Sequence, residues 1–146
     1  MTAKNGGHKN ILPNNAQSIL AISYVKLQDA YVGESNQIGS WSLIGYTGPG
    51  TAVTGQTDST TTTNFNYGGC DYKGTGDDGK AAIGGAAVAA KIGWVATSKA
   101  ALNDVAIGAQ WTLAVEAEES KSLVKYTATV PTGAESLTPN FTALSH

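Results

Sequence analysis

The chain of 146 residues is long enough to bury the core of one domain and too short for two ordinary domains. Only 14% of the residues are charged and the formal net charge is −2, so the sequence offers no basic surface to bind a nucleic-acid backbone. The single cysteine, Cys70, excludes both an intrachain disulfide and a multi-cysteine metal site.

The polar residues point to an extracellular setting. Eighteen glycines, together with many Thr, Ser and Asn residues, favour β-structure with frequent turns over a cytosolic enzyme. No apolar run approaches the roughly 18 residues that a membrane-spanning helix needs, and residues 1–8 lack the apolar region of a signal peptide. We therefore expect no membrane segment in this chain, and expect that any secretory or anchoring segment has been removed.

The N-terminal third predicts a helix. Residues 1–13 show no periodicity and are predicted to be a flexible lead or a vector-derived remnant, which leaves residues 14–146 as one globular domain. Asn14 and Gln17 have the spacing of a capping box, and apolar residues then recur at helical spacing as far as about Gly33. The packing face of this amphipathic helix is predicted to hold Leu20, Tyr24, Leu27 and Tyr31.

The middle of the chain reads mainly as loops. Residues 38–50 predict a packed loop with a short strand, and the Thr-rich residues 51–64 predict an exposed strand or loop. A short strand is expected at residues 64–67 and a Gly/Asp loop at residues 71–79. Residues 81–90 are apolar but contain two glycines, so helix and strand both remain open.

The last third predicts antiparallel strands. A strand starts at Trp94, and two stretches of alternating apolar residues flank a turn at residues 118–122, which is the pattern of a hairpin. A final strand is expected at residues 140–144. The predicted fold is α+β, with an N-terminal amphipathic helix packed on an antiparallel β-sheet.

One glycine motif matches the sequence pattern of a nucleotide-binding loop but lacks the surroundings that such a loop needs. Residues 74–79 read Gly-Thr-Gly-Asp-Asp-Gly, which fits G-x-G-x-x-G. Asp77 and Asp78 would place negative charge where a phosphate should bind, and no hydrophobic parallel strand precedes the loop. We interpret this motif as a turn.

The same loop is the one candidate for a metal. Asp71, Asp77 and Asp78 offer the hard oxygen ligands that calcium accepts, although their spacing is not that of an EF-hand. The alternative is a solvated acidic loop. No other cofactor is expected.

Catalysis has little support in the sequence. His8 and His146 lie close to the chain ends, and Glu116, Glu118 and Glu119 cluster at the predicted hairpin turn. Neither set forms a convincing nucleophile or acid–base constellation, so we predict that the protein is not an enzyme.

Two aromatic residues in the glycine-rich loop are candidates for a ligand or glycan contact. Trp41 and Tyr46 could stack on sugar rings if their faces are exposed. Alternatively, both rings close the loop over the helix and belong to the core.

Three segments resemble the later parts of type IV pilins and pseudopilins, most closely those of fibre-degrading anaerobic bacteria. They are residues 24–50, which include Tyr-Val-Lys-Leu-Gln-Asp-Ala-Tyr-Val-Gly-Glu and Ile-Gly-Ser-Trp-Ser-Leu-Ile-Gly-Tyr, residues 93–104, and residues 137–142. The hydrophobic start of that family is not in this sequence. The resemblance implies a pilin-like fold in which an N-terminal helix packs on an antiparallel sheet.

The resemblance also implies a function. It predicts a structural subunit of an extracellular type IV pilus or secretion pseudopilus on the bacterial surface, with other pilin subunits as partners and a possible role in adhesion. The alternative is a secreted carbohydrate-binding or adhesive module that contacts a polysaccharide surface.

Overall fold

A computed structural model describes the backbone of residues 6–101, 105–132, 141 and 144–145, and the side chains from Leu20 onward. Two helices, eight strands and one 3₁₀ turn at Asp77–Gly79 occupy this part of the chain. The elements in chain order are α1 (Gly6–Ser35), β1 (Gln37–Gly39), α2 (Trp41–Ile44), β2 (Thr51–Ala52), β3 (Ser59–Thr61), β4 (Phe65–Gly68), β5 (Lys80–Ala82), β6 (Val88–Ser98), β7 (Gln110–Ala117) and β8 (Lys125–Thr129).

The strands form two antiparallel sheets. The large sheet has six strands in the order β2-β3-β4-β6-β7-β8, and the small sheet pairs β1 with β5. Strands that pair in the large sheet are also consecutive in sequence, except β4 and β6. Between β4 and β6 the chain forms β5, which belongs to the small sheet. The β7–β8 hairpin and the strand through Trp94 confirm the predictions for those segments.

The predicted pilin-like arrangement, an N-terminal amphipathic helix packed on an antiparallel β-sheet, is wrong. The described strands form two sheets, of six and two strands, and α1 contacts chiefly β1 and α2 rather than the large sheet. The prediction failed because residues 51–64 and 81–90 carry mainly Thr, Gly and Ala instead of alternating large apolar residues, so the sequence did not separate their strands from a loop or a helix.

Helix α1 is longer than predicted. It begins at Gly6 rather than at residue 14, so it includes most of the segment expected to be a flexible lead, and it ends at Ser35. The undecided residues 81–90 lie in β5, a turn and the start of β6. The expected final strand falls mostly outside the described residues.

The core lies between the inner face of α1, the loop around α2 and one face of the large sheet. The helix buries residues spaced at three or four positions, as an amphipathic helix should. From the sheet, alternating residues of β7 point inward and Trp94 is fully buried. The buried residues of α1 are Ala21, Tyr24, Val25, Gln28 and Val32.

A buried glutamine joins α1 to the small sheet. The Gln28 side chain is fully buried and its amide pairs with the Gly39 backbone in both directions. Nε2 donates to the Gly39 carbonyl at 2.8 Å, and the Gly39 N–H donates to Oε1 at 2.9 Å. Gln28 therefore takes the place of a neighbouring strand for β1, because it satisfies the backbone groups that β5 does not reach.

A β-bulge in β6 allows close contact between α1 and the large sheet. The register of β6 against β7 shifts between Ile92 and Trp94, with Gly93 in the gap. The Tyr24 hydroxyl lies where a Cβ on Gly93 would be, and the Trp41 Nε1–H donates to the Gly93 carbonyl at 3.1 Å. Glycine is needed here because any side chain would displace the helix.

Four buried tyrosines predict loss of stability at high pH. Burial raises the pKa of Tyr46 to about 12, and burial also raises the pKa of Tyr24, Tyr72 and Tyr126 above the ordinary value of 10.0. Since the folded-state pKa values are raised, the folded chain favours the neutral phenols. The resulting stability is fully present below pH 10 and is lost as the pH rises above 10. Each tyrosine should then reduce the free energy of unfolding by about 1.4 kcal/mol per pH unit.

Urea unfolding at a series of pH values between about pH 8 and about pH 11 measures this loss. Tyr126→Phe should reduce the slope of unfolding free energy against pH, because it removes one of these groups. An unfolding free energy that stays constant across this pH range, or a slope that Tyr126→Phe leaves unchanged, would contradict the expectation.

Candidate functional site

One depression on the described surface is a groove between the α2 loop and the β2–β3 hairpin. Its volume is about 330 Å³. Trp41 and Tyr46 form its floor, so the structure brings together the two aromatic residues that the sequence singled out. Both rings are almost fully buried, at 2% and 6% exposure, and they meet edge to face with centroids 4.8 Å apart. The floor thus presents ring edges, and no open aromatic face is available for stacking.

Local caps fix Trp41 at the start of α2. The Ser40 hydroxyl accepts a hydrogen bond from the Leu43 N–H, which caps the helix, and Gly45 ends it in the left-handed conformation with φ of 78°. Tyr46 follows directly and its hydroxyl accepts a hydrogen bond from the Trp94 Nε1–H at 3.0 Å. The groove floor is therefore anchored to the core at both rings.

Asp58 ties the hairpin to the rest of the groove. Its carboxylate accepts hydrogen bonds from the Ser42 hydroxyl at 2.5 Å and from the Gly74 N–H at 2.9 Å. The Asp58 backbone has φ of 52°, which is the left-handed region that Asp tolerates better than most residues. The first glycine of the nucleotide-like motif thus serves as a hydrogen-bond donor within a structural turn.

One hydroxyl at the groove wall has no partner among the described residues. Thr60 is 7% exposed, and its Oγ1 is buried without a hydrogen bond in the described part of the chain. Gly48 lies over it, since a Cβ on Gly48 would be 2.5 Å from Thr60 Oγ1 and 2.7 Å from the Trp41 ring. Thr60 also lines a second depression, together with Gln56. A buried hydroxyl without a partner costs free energy.

The acidic residues predicted for calcium are not gathered into a site. The Asp71 carboxylate accepts the Ile92 N–H at 2.7 Å, and the Asp71 N–H donates to the Ile92 carbonyl at 3.0 Å, so this residue extends the pairing of β6. Asp77 and Asp78 are exposed in the 3₁₀ turn. Among the residues with described side chains, no three His, Cys, Asp or Glu groups lie together as metal ligands.

The glutamates at the β7–β8 turn have structural positions. Glu118 forms an exposed ion pair with Lys125 at 2.6 Å, and this hydrogen bond lowers the pKa of the Glu118 carboxyl. Glu116 lies opposite Lys125 in the strand register, and Glu119 is exposed in the turn. His8 and His146 lie outside the residues whose side chains are described.

The four residues predicted for the helix packing face have different surroundings. Tyr24 is fully buried, and Leu20 and Tyr31 are half-buried against the core. Leu27 is 36% exposed on the outer face of α1, where Ile22 is 38% exposed. This outer face therefore combines apolar and polar exposed residues, while the inner face is fixed in the core.

In the described part of the chain, neither helix has the length and apolar character that crossing a lipid bilayer requires. No family model, curated protein or solved structure matches this chain.

Proposed function

We propose that this chain is a non-catalytic structural subunit of an extracellular bacterial filament, of the type IV pilus or secretion-pseudopilus kind, and that its partners are further copies and related subunits. Two features support this function, namely the outer face of α1 and the sequence resemblance in residues 24–50. The fold itself gives no support, because the sheets are not those of a pilin.

The outer face of α1 is the observation that carries the proposal. The helix has 30 residues and is about 45 Å long, which suits side-by-side packing of subunits along a filament axis. Ile22 and Leu27 are large apolar residues that remain more than one third exposed. They are about 140° apart around the helix axis, so they lie at the two opposite borders of this face. Burial of such side chains between copies would stabilise an assembly without disturbing the core.

Assembly on native cells tests this function. Filaments sheared from the cell surface should be labelled by antibodies against this chain. Ile22→Lys with Leu27→Lys in the native gene should abolish those filaments, because two charges would be buried between subunits. The purified variant should stay folded and lose at most about 2 kcal/mol of unfolding free energy, since both side chains are partly exposed and a lysine can extend its ammonium group into solvent.

Ile107→Lys is the matched control. Ile107 is 66% exposed in the β6–β7 connection, so the same change is made at an apolar surface residue away from α1. Filaments should persist in this variant. Surface filaments that lack this chain, or normal filaments in the double variant, would overturn the proposal.

The alternative function has less support in its usual form. A carbohydrate-binding module that stacks sugars on an aromatic strip needs exposed rings. All three tryptophans, Trp41, Trp94 and Trp111, are at most 2% exposed, and Tyr46 is 6% exposed. Binding of sugar by these residues would have to use ring edges within the groove.

A further inference from the structure

We propose that the groove between the α2 loop and the β2–β3 hairpin binds one ring of a neutral saccharide, held by hydrogen bonds from its walls rather than by aromatic stacking. The volume of about 330 Å³ is at the lower end of the roughly 300–1,000 Å³ found for small-molecule sites, so the groove fits a small ligand.

The charge of the groove selects a neutral ligand. Asp58 is the one carboxylic acid among the described residues of its lining, and no Lys, Arg or His accompanies it there. A phosphate or a carboxylate would meet this negative charge without a cation to balance it. Each Asp58 oxygen already accepts one hydrogen bond and has capacity for a second, which a ligand hydroxyl can fill.

The other wall residues match the chemistry of a sugar ring. Thr47 and Gln56 line the groove with an exposed hydroxyl and an exposed amide, which both donate and accept. The Ser59 hydroxyl donates to the Thr57 carbonyl and keeps its capacity to accept. A sugar needs this mixture, because each of its hydroxyls is also both donor and acceptor.

The groove is also organised before any ligand binds. Trp41 is held by its hydrogen bond to Gly93 and Tyr46 by its hydrogen bond from Trp94, so the floor loses little freedom on binding. The ring edges and the Ala52 methyl group provide apolar contacts for the C–H groups of a sugar. This site does not include the outer face of α1, so a test of sugar binding and a test of filament assembly can give different outcomes.

Backbone-amide NMR titration of the full chain tests the site. The probes are the methyl glycosides of glucose, galactose and mannose at millimolar concentration, with methyl glucuronide as the charged counterpart of the glucoside. At least one neutral glycoside should shift the amides of Thr47, Gly48, Gln56 and Thr60. Its charged counterpart should bind roughly tenfold more weakly or not at all, because of Asp58.

Two variants sharpen the test. Thr47→Val keeps the side-chain shape at an exposed residue of the groove lining, so it should fold and weaken binding roughly fivefold, as for one hydrogen bond. Gln56→Ala changes an exposed rim residue and should have a similar effect. Thr127→Val, on the exposed face of β8, is the control and should bind as the unmodified chain does.

Three results would overturn the site. They are the absence of any shift with all neutral glycosides, shifts confined to residues outside the groove, and binding that is unchanged in both Thr47→Val and Gln56→Ala.

Discussion

Replacement of Gly93 by alanine is expected to lower the free energy of unfolding by about 3 kcal/mol. The new methyl group would overlap the Tyr24 hydroxyl, and Tyr24 is fully buried with no room to withdraw. The helix or β6 must then move, which also strains the hydrogen bond from Trp41 Nε1 to the Gly93 carbonyl. Urea unfolding at neutral pH measures the loss.

Two companion variants show whether the overlap is the cause. Tyr24→Phe removes the overlapping oxygen, so the double variant Gly93→Ala with Tyr24→Phe should recover part of the loss. Gly33→Ala is the matched control, because a Cβ on this exposed helical glycine would contact nothing within 4 Å. It should stabilise the protein by about 0.5–1 kcal/mol. Equal effects of alanine at Gly93 and Gly33 would refute the packing explanation.

Replacement of Gln28 by methionine is expected to cost about 3 kcal/mol. Methionine has nearly the same length but pairs with neither backbone group of Gly39, so a buried N–H and a buried carbonyl are left unsatisfied. Each such group costs about 1–3 kcal/mol. The hydrogen bond from Gln28 Nε2 to the Tyr24 hydroxyl, 3.0 Å long, is lost as well.

Gln110→Met is the control for this change. Gln110 is exposed at the start of β7 and makes one side-chain hydrogen bond, to Thr97. Its replacement should change the unfolding free energy by less than about 0.5 kcal/mol. Amide hydrogen exchange adds a local measurement, since the Gly39 N–H should lose protection in Gln28→Met. Retained protection at Gly39 would show that Gln28 does not hold β1.

The sequence was most informative where large apolar residues follow a regular period. Alternation at Trp111, Leu113 and Val115 correctly predicted β7, and helical spacing predicted a helix through residues 14–33. The polar residue Gln28 in the buried face of that helix could not be predicted, because its role depends on a backbone partner eleven residues away. The short strand expected at residues 64–67 corresponds to β4, whereas residues 51–64 and 81–90 stayed ambiguous because Thr, Ala and Gly mark neither period.

The groove was predictable only in part. Trp41 and Tyr46 drew attention as aromatic residues among glycines, but their burial was not evident from the sequence. Asp58 and Thr60 were not identified, since they come next to Trp41 only through the pairing of β3 with β4 and of β4 with β6. A Thr-rich tract gives no local sign of which hydroxyl will be buried without a partner.

Cys70 gives the chain a built-in labelling position. It is the one cysteine in the sequence, it is exposed, and it follows Gly69, which lies against the Trp41 ring. Partial burial and the neighbouring Asp71 carboxylate raise the pKa of the thiol, so little reactive thiolate exists at neutral pH. A fluorophore can therefore be attached in mildly alkaline solution below pH 10, before the buried tyrosines ionise, and it would report on the groove without any mutation.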